Sequence, residues 1–572
     1  MTKVDKYEKL VELAKRRGFF WQSYEIYGGV GGFIDLGPLG TLLLQNIMRK
    51  WREFFIIPHQ DFIVEITTPI IAPEKVFIAS GHVEHFTDYI TQCKACGRKF
   101  RADHLVEEKL GINAEGMNEE ELSKIIAVNN IRCPECGGEL SHVSKFNLLF
   151  KTTIGPYSHN VGYARPEAAQ GMFLTFKRIY ELKGRKLPLG IAQIGHVMRN
   201  EISPRQGPIR LREFTIMEIE LFFDPKNPRC PLLENIRDKE IRIVPYSEEE
   251  KPLEEKVVTL LVGEAVRKNL ISNEWLAYFM ALSVDFLKAL GIPFEKQLFV
   301  EKGPAEKAHY SVQTFDQLVY LERWGWTEVS GHSYRTDYDL KQHMKYSNED
   351  LRAYRKLPEP IIVKKINVVN KSIPPRIVHQ LLLKDPNEIE KELSERGFIE
   401  IDGVKIEKKD VQIIEEKKYY ERFIPHVSEP SFGAERLLYA TLEYAYKEEK
   451  GRIILALPKD IAPINVVVLP LVKKDNLPEV ARKVYNMLVK EKFTVMYDEE
   501  GSIGKRYVKY DEIGVPYAIT IDSQTLQDNT VTIRDRDTRK QIRVKIGELP
   551  TVLRDLIYSN SSAYFNSNTS SK

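Results

Sequence analysis

Two cysteine pairs mark one stretch of the chain: Cys93-Lys94-Ala95-Cys96-Gly97 and Cys133-Pro134-Glu135-Cys136-Gly137-Gly138. Each two-residue spacing lets the thiolates of one tight turn reach a common ion, and four thiolates close the tetrahedral shell that Zn²⁺ prefers. Cys93, Cys96, Cys133 and Cys136 are therefore expected to hold one structural Zn²⁺. Such a site replaces the core that a short insertion cannot build alone. Four free thiols or a redox pair are the alternatives. The fifth cysteine, Cys230, reads as a bystander.

A second kind of chemistry lies in arginines and carboxylates. Met198-Arg199-Asn200-Glu201 leads into a loop with Pro204, Gly207 and Pro208. Ile209-Arg210-Leu211-Arg212-Glu213-Phe214-Thr215-Ile216-Met217-Glu218-Ile219-Glu220 follows. This reads as strand, long turn and antiparallel strand, with Arg210, Arg212, Phe214 and Glu218 on one face. Arginines match phosphate oxygens and an aromatic offers a base a stacking face, although a solvated hairpin has the same pattern. Further on, Glu429-Pro430-Ser431-Phe432-Gly433-Ala434-Glu435-Arg436 runs from a strand end into a helix with Arg436 in its first turn. That geometry suits an anion at a helix N-terminus. Glu65-Ile66-Thr67-Thr68-Pro69-Ile70-Ile71 reads as a strand confined by its proline to an edge or interface.

In this order, the three segments at 65–71, 198–220 and 429–436 resemble motifs 1, 2 and 3 of class II aminoacyl-tRNA synthetases. More narrowly, the chain is similar to the eukaryotic/archaeal-type glycyl-tRNA synthetases over about residues 7–556. Matching strings include Ile26-Tyr27-Gly28-Gly29-Val30, Ser80-Gly81-His82-Val83, Phe100-Arg101-Ala102-Asp103-His104, Arg165-Pro166-Glu167-Ala168-Ala169-Gln170-Gly171 and Gly501-Ser502-Ile503-Gly504-Lys505-Arg506-Tyr507. Ala168 departs from a frequent Thr, and the N-terminal helical hairpin of many animal members is absent. Some relatives lack the cysteine pairs, which puts the zinc outside the catalytic core.

The resemblance implies activation of glycine by ATP to glycyl-adenylate and pyrophosphate, then transfer to the 3′ end of tRNA(Gly). It gives the catalytic roles to Arg199, on the α-phosphate, and Arg436, on the γ-phosphate. Glu201 meets the adenine amino edge, Phe214 stacks on the base, and Glu328 meets ATP through Mg²⁺. Asn200, Ile209, Arg210, Leu211, Arg212, Glu213, Val329 and Gly433 complete the ATP site. Glu167, Glu218 and Glu429 surround the glycine ammonium, Ser431 and Gly433 limit the space, and Arg101 lies near the amino acid. Three acids without their cation repel one another, so at least one pKa is expected to rise. Lys505, Arg506 and Lys509 are expected on tRNA backbone, although a solvated basic helix reads the same way. His82 and His85 read as packing residues or neighbours of tRNA. Rivals are a class II enzyme for threonine, proline or serine, and a catalytically dead accessory subunit.

These residues need a scaffold of several units. At roughly 100–200 residues per domain, 572 residues imply about three to five. With 43% apolar and 29% charged residues the chain is neither disordered nor a disulfide-rich miniprotein. It contains no long uncharged apolar run and no secretory h-region, so no membrane span is expected and a cytoplasmic location follows by default. The formal charge of +3 neither demands nor excludes nucleic acid.

The expected fold is α/β multidomain. A class II antiparallel sheet with flanking helices carries an inserted zinc knuckle and a C-terminal α/β anticodon-binding domain. Its catalytic pieces are 1–90, 144–225, 309–350 and 419–458. The zinc insertion is 91–143, a helical insertion 226–308, a further insertion 351–418, the anticodon-binding domain 459–558 and a disordered tail 559–572. Helices are expected at 42–55, 260–269 and 275–290. A homodimer is expected, joined at motif 1 around Pro69 and the helix 42–55.

Overall fold

A computed structural model describes residues 5–559 except 115, 158, 205, 249–250 and 305–310. All but the first residue of the expected disordered tail lies outside the described residues, as does Arg205 of the motif 2 loop.

A nine-stranded sheet organises the catalytic unit. Its order is Val258–Leu261, Glu240–Val244, Gln297–Glu301, Gln313–Leu321, Gly325–Thr336, His426–Gly433, Glu213–Phe223, Leu189–Met198 and Ile63–Glu65. Pairing is antiparallel except between Glu240–Val244 and Gln297–Glu301 and between Ile63–Glu65 and Leu189–Met198. Period-two alternation divides the strand Glu213–Phe223. Met217, Ile219, Leu221 and Phe223 enter one core, with the helices Pro38–Phe55, Glu274–Ala289 and Ala434–Ala445. Ile216 and Phe222 enter a second core, with the helix Ala169–Leu182. Between them on that face the chain puts Glu218 and Glu220, both buried, in place of apolar residues.

Several expectations change here. The motif 1 segment is not one strand: pairing stops after Ile63–Glu65 and resumes at Ile71–Pro73, with Pro69 in the unpaired break. Residues 226–308 are not a separate helical body, because three of their strands extend the main sheet and Glu274–Ala289 packs in its core. Within 260–269 the chain is a strand, Val258–Leu261, before a short helix, Val262–Arg267. Among the described residues no helix is long and apolar enough to cross a membrane.

The inserted segments have their own cores. Leu105, Val106, Leu122 and Ile126 pack beside Cys93 and Cys133. A long ladder between Ala353–Val368 and Val411–Phe423 carries a cluster that includes Ile377, Leu381, Leu393 and Ile406. The C-terminal unit is a five-stranded sheet in the order Val495–Tyr497, Val466–Pro470, Tyr517–Ile521, Thr530–Asp535 and Gln541–Lys545; its first three strands are parallel. The parallel strands and the helices between them make this an α/β unit, as expected for 459–558. Arg16 and Arg17 of the N-terminal helix Lys6–Arg17 close on Glu512, tying this unit to the catalytic one.

Candidate active site

Strand Leu189–Met198 hands the chain to Arg199, and the loop returns through a 3₁₀ turn, Gly207–Ile209, to strand Glu213–Phe223. Arg199 is fixed by its backbone N–H to Arg212 O at 2.8 Å and by Nε to Pro166 O at 3.1 Å. Its guanidinium lies 5.4 Å from the Phe214 ring and 5.8 Å from Phe86. Arg436, in the first turn of Ala434–Ala445, donates through Nε to Ile209 O at 2.8 Å and through Nη1 to Glu328 O and Oε2 at 2.9 and 3.0 Å. Motifs 2 and 3 are thereby latched, with both guanidiniums lining the same space.

That space has two lobes. One is lined by Arg199, Glu201, Pro208, Ile209, Arg210, Leu211, Phe214, Gly433, Glu435 and Arg436. The other shares Arg199, Phe214, Gly433 and Arg436 and adds Glu167, Glu218, Lys302, Asp316, Glu328, Val329, Glu429 and Ser431. An aromatic ring, two arginines and a run of carboxylates thus line one cleft. Burial and the charge of Glu328 push Asp316 up to about 7, against the pull of Lys302 at 3.0 Å. Two oxygen-donor carboxylates, Glu328 and Asp316, at the arginine end suit a hard cation such as Mg²⁺.

At the far end three acids converge: Glu218 and Glu429 lie on neighbouring strands of the sheet, and Glu167 enters from the segment before the helix Ala169–Leu182. Glu218 lies opposite Ser431, and Glu429 opposite Ser333. Glu218 accepts from Ala168 N–H at 2.9 Å, and Glu167 from Gln170 at 2.8 Å. All three are buried. Burial raises Glu218, helped by Glu167, and burial with the charges of Glu218 and Glu167 raises Glu429 far above the carboxylate range. Glu167 goes the other way: burial is outweighed by Arg335 and His82, which hold it well below its ordinary value. Arg335 carries no motif pattern and sequence reasoning missed it. So did it miss Lys302, Asp316 and Glu435; Glu435 is adjacent to Arg436 and accepts Thr215 N–H at 2.8 Å.

Other expected residues lie elsewhere. Arg101 does not line the acid pocket: its guanidinium is held by Asp103 at 2.7 Å and by Asp88 at 3.4 Å. Arg212 faces no phosphate space, because it donates to Glu201 O and Gly31 O at 2.8 Å each. The Gly28–Gly32 run explains that contact. Gly32 has φ +78°, and a Cβ there would meet Pro204 at 2.7 Å and Arg212 at 3.0 Å, so only glycine lets this loop close on motif 2. Asn200 is held by its backbone to Leu148 O, and Glu213 is an exposed strand start; neither lines the cleft. His82 is buried against Phe77 and Phe86, with Ser80 Oγ at 2.8 Å, while His85 is exposed. In the C-terminal unit Arg506 is not on the surface: it is 2% exposed and donates to Pro470 O, Asp498 O and Leu471 O. Lys509 pairs with Asp498, and Lys505 is left exposed.

In the insertion, the four Sγ atoms of Cys93, Cys96, Cys133 and Cys136 lie within 4.8 Å of one another. Cys93–Cys136 is 3.5 Å and Cys96–Cys133 is 3.7 Å. A tetrahedron with Zn–S bonds of about 2.3 Å has sulfur–sulfur edges of about 3.8 Å, so the donor set fits. A Cβ on Gly138 would stand 2.9 Å from Cys93 Sγ and 3.2 Å from Cys136 Sγ, so glycine leaves the sulfurs their room.

A family profile described as "Anticodon binding domain" matches residues 465–556. Among solved structures, prolyl-tRNA synthetase from Cryptosporidium parvum, complexed with L-proline and AMP, aligns with a TM-score of 0.50 at 13% identity. It covers 98% of this chain and 75% of that one, a likeness of fold alone. Glycine–tRNA ligase from Aeropyrum pernix is 54% identical, covering 97% of this chain and 98% of its own. The ligase of Pyrococcus furiosus is 50% identical over 97% and 100%, and that of Methanocaldococcus jannaschii 45% over 96% and 99%. With identity of this level spread over nearly the whole of both chains, and with a class II fold bearing an anticodon-binding domain, the protein belongs to the glycine–tRNA ligase family.

Proposed function

We propose that the chain activates glycine with ATP and esterifies it to the 3′ end of tRNA(Gly). The observation that carries this reading is one cleft with two chemically opposite ends. Phe214, Arg199 and Arg436 suit a nucleoside triphosphate, while Glu167, Glu218 and Glu429, with Ser431, suit a small ammonium. A glycine carboxylate oxygen attacks the α-phosphorus, the new O–P bond forms as the α–β anhydride breaks, and pyrophosphate leaves. The substrate is the nucleophile, so the protein supplies alignment and charge stabilisation. Arg199 meets the charge growing on the α-phosphate, and Arg436 the departing pyrophosphate. Glu328, with Asp316 beside it, would hold Mg²⁺, which would supply further charge neutralisation on the phosphates. The ribose hydroxyl of the tRNA terminus then attacks the glycyl carbonyl and AMP leaves.

Specificity follows from what the pocket lacks. Glycine offers no side chain, so the site grips its polar ends and excludes anything larger. Steric exclusion needs no editing domain. The 91–143 insertion holds structural Zn²⁺ on its four cysteines, a reading supported by the sulfur spacing. The chain acts as a cytoplasmic homodimer joined around Pro69, where the neighbouring Ile70 and Ile71 expose apolar surface. The units 1–90, 144–225, 309–350 and 419–458, with Lys302 from 226–308, build the catalytic cleft, and 459–558 meets the anticodon. Charging of a tRNA(Gly) transcript with labelled glycine tests the reading. Glycine esterified at the 3′ end is expected, and no charging by a folded, zinc-loaded dimer would refute it.

A further inference from the structure

The strand Gly325–Thr336 has a register shift at its end. Tyr334 pairs with Ser428 and Thr336 with Val427, so Arg335 is the extra residue. Bulges beside active sites re-aim a side chain. This one sends a guanidinium into the protein behind the acid pocket, with no exposed surface. Nη1 donates to both Glu429 oxygens at 3.1 Å, and Nη2 reaches Glu167 Oε1 at 3.4 Å. Nε and Nη2 fork onto the Asp339 carboxylate at 3.0 Å each. Asp339 also accepts from Gln170 at 3.0 Å, and Gln170 in turn holds Glu167.

The groups facing this cation come from every packed element. Glu167, Glu429 and Asp339 touch it. Glu218 and Glu220 approach from the strand Glu213–Phe223, His343 and Tyr338 from the helix Tyr338–Ser347, and His82 from the other side of Glu167. Arg165, bound to Thr68 and His196 carbonyls, adds a positive charge near Glu218. Glu220 is fully buried and neither of its oxygens has a hydrogen-bond partner, so it is carried as the neutral acid.

We propose that Arg335 is a positioning residue for the amino acid: from behind the pocket it fixes Glu167 and Glu429 as a pair of acceptors aimed at one ammonium. This rests on the reading of the cleft as a glycine-activating site. It gives Arg335 a specific effect, because the guanidinium touches the acids and lines neither lobe of the cleft. Burial and repulsion raise both Glu218 and Glu429, so the empty pocket favours a proton shared by this pair. An incoming ammonium takes that proton's place. Without Arg335 the acids hold their protons more tightly, so glycine binds well only at higher pH.

The test is ATP–pyrophosphate exchange by the full-length protein carrying Arg335→Gln, Arg335→Lys or Asp339→Asn, with KM measured separately for glycine and ATP across pH 6–9. For Arg335→Gln, loss of hydrogen bonds to charged groups predicts a glycine KM raised about 10- to 100-fold. The ATP KM should stay within about twofold, and the pH dependence of the glycine KM should move upward. Arg335→Lys should recover part of the loss. Asp339→Asn, which releases one side of the fork, should give a smaller split of the same kind, and it decides the matter alone if Arg335→Gln does not fold. Equal changes in both KM values, or an unmoved pH dependence, would overturn the proposal. A wild-type protein inactive with glycine would instead sink the underlying reading.

Discussion

Glu435 offers a test of how the two motifs are latched. Its carboxyl is buried, accepts the Thr215 N–H, and is pushed by burial from 4.5 up to about 7. A carboxyl whose folded pKa is raised contributes stability that is fully present below its unfolded pKa. That stability is lost as pH rises through the folded value. The window therefore runs from about pH 4.5 to 7, and at about 1.4 kcal/mol per unit the loss by pH 8 is about 3 kcal/mol. Glu435→Gln keeps an acceptor for Thr215 and cannot ionise. Relative to wild type it should be near neutral at pH 5 and more stable by about 3 kcal/mol at pH 8. For a large domain, at roughly 2 °C per kcal/mol, the gap in melting temperature should open by several degrees over that range. Thermal melts of both proteins in matched buffers measure it. Glu435→Ala is the control: it strands a buried N–H and should be less stable than Glu435→Gln by about 1–3 kcal/mol throughout. A wild-type–Gln gap that stays constant from pH 5 to 8, or closes, would show that Glu435 is ionised in the folded protein and that the burial argument fails.

Other outcomes follow from the same geometry. Phe214→Ala removes the stacking face, worth about 1–3 kcal/mol, and should raise the KM for ATP roughly 5- to 150-fold with little change for glycine, as exchange kinetics would show. Ser431→Gly opens the acid end by the width of a side chain, and exchange with alanine should rise at least about tenfold over wild type. Stripping metal from the protein, or Cys93→Ser, should expose the amides of residues 91–143 in hydrogen exchange while glycine-dependent exchange persists; metal analysis should find zinc before stripping and none after. Arg506→Met should lower the melting temperature of the C-terminal unit, because three carbonyls lose their donor, and a variant with unchanged melting and weakened tRNA binding would return Arg506 to the surface role.

The parts legible in the sequence were those with a local signature. Two C-x-x-C pairs name their donors without a fold, and the strings around Arg199, Glu429 and Arg436 point to the class of site. Hydrophobic period and proline punctuation reach the three parallel strands of the C-terminal sheet but not its antiparallel strands Thr530–Asp535 and Gln541–Lys545. What stayed hidden depends on register or on what packs behind a residue. Arg335 sits in Ser333-Tyr334-Arg335-Thr336, a string with no repeat, and only the bulge turns it toward the acids. Arg506 and Arg212 look like phosphate ligands by residue type, yet each spends its donors on backbone carbonyls that no local pattern announces. The expected helix 260–269 takes in Leu260 and Leu261, the end of the strand Val258–Leu261, because a short apolar run fits both periods, and only pairing with Glu240–Val244 decides it.

The central claim is that one cleft joins ATP to an amino acid with no side chain. ATP–pyrophosphate exchange with each of the twenty amino acids in turn, without tRNA, addresses it most directly. The account predicts exchange with glycine, and at most traces with alanine or serine. Stronger exchange with any other amino acid would contradict the acid-pocket assignment, and no exchange with or without added tRNA would contradict the claim of activation itself.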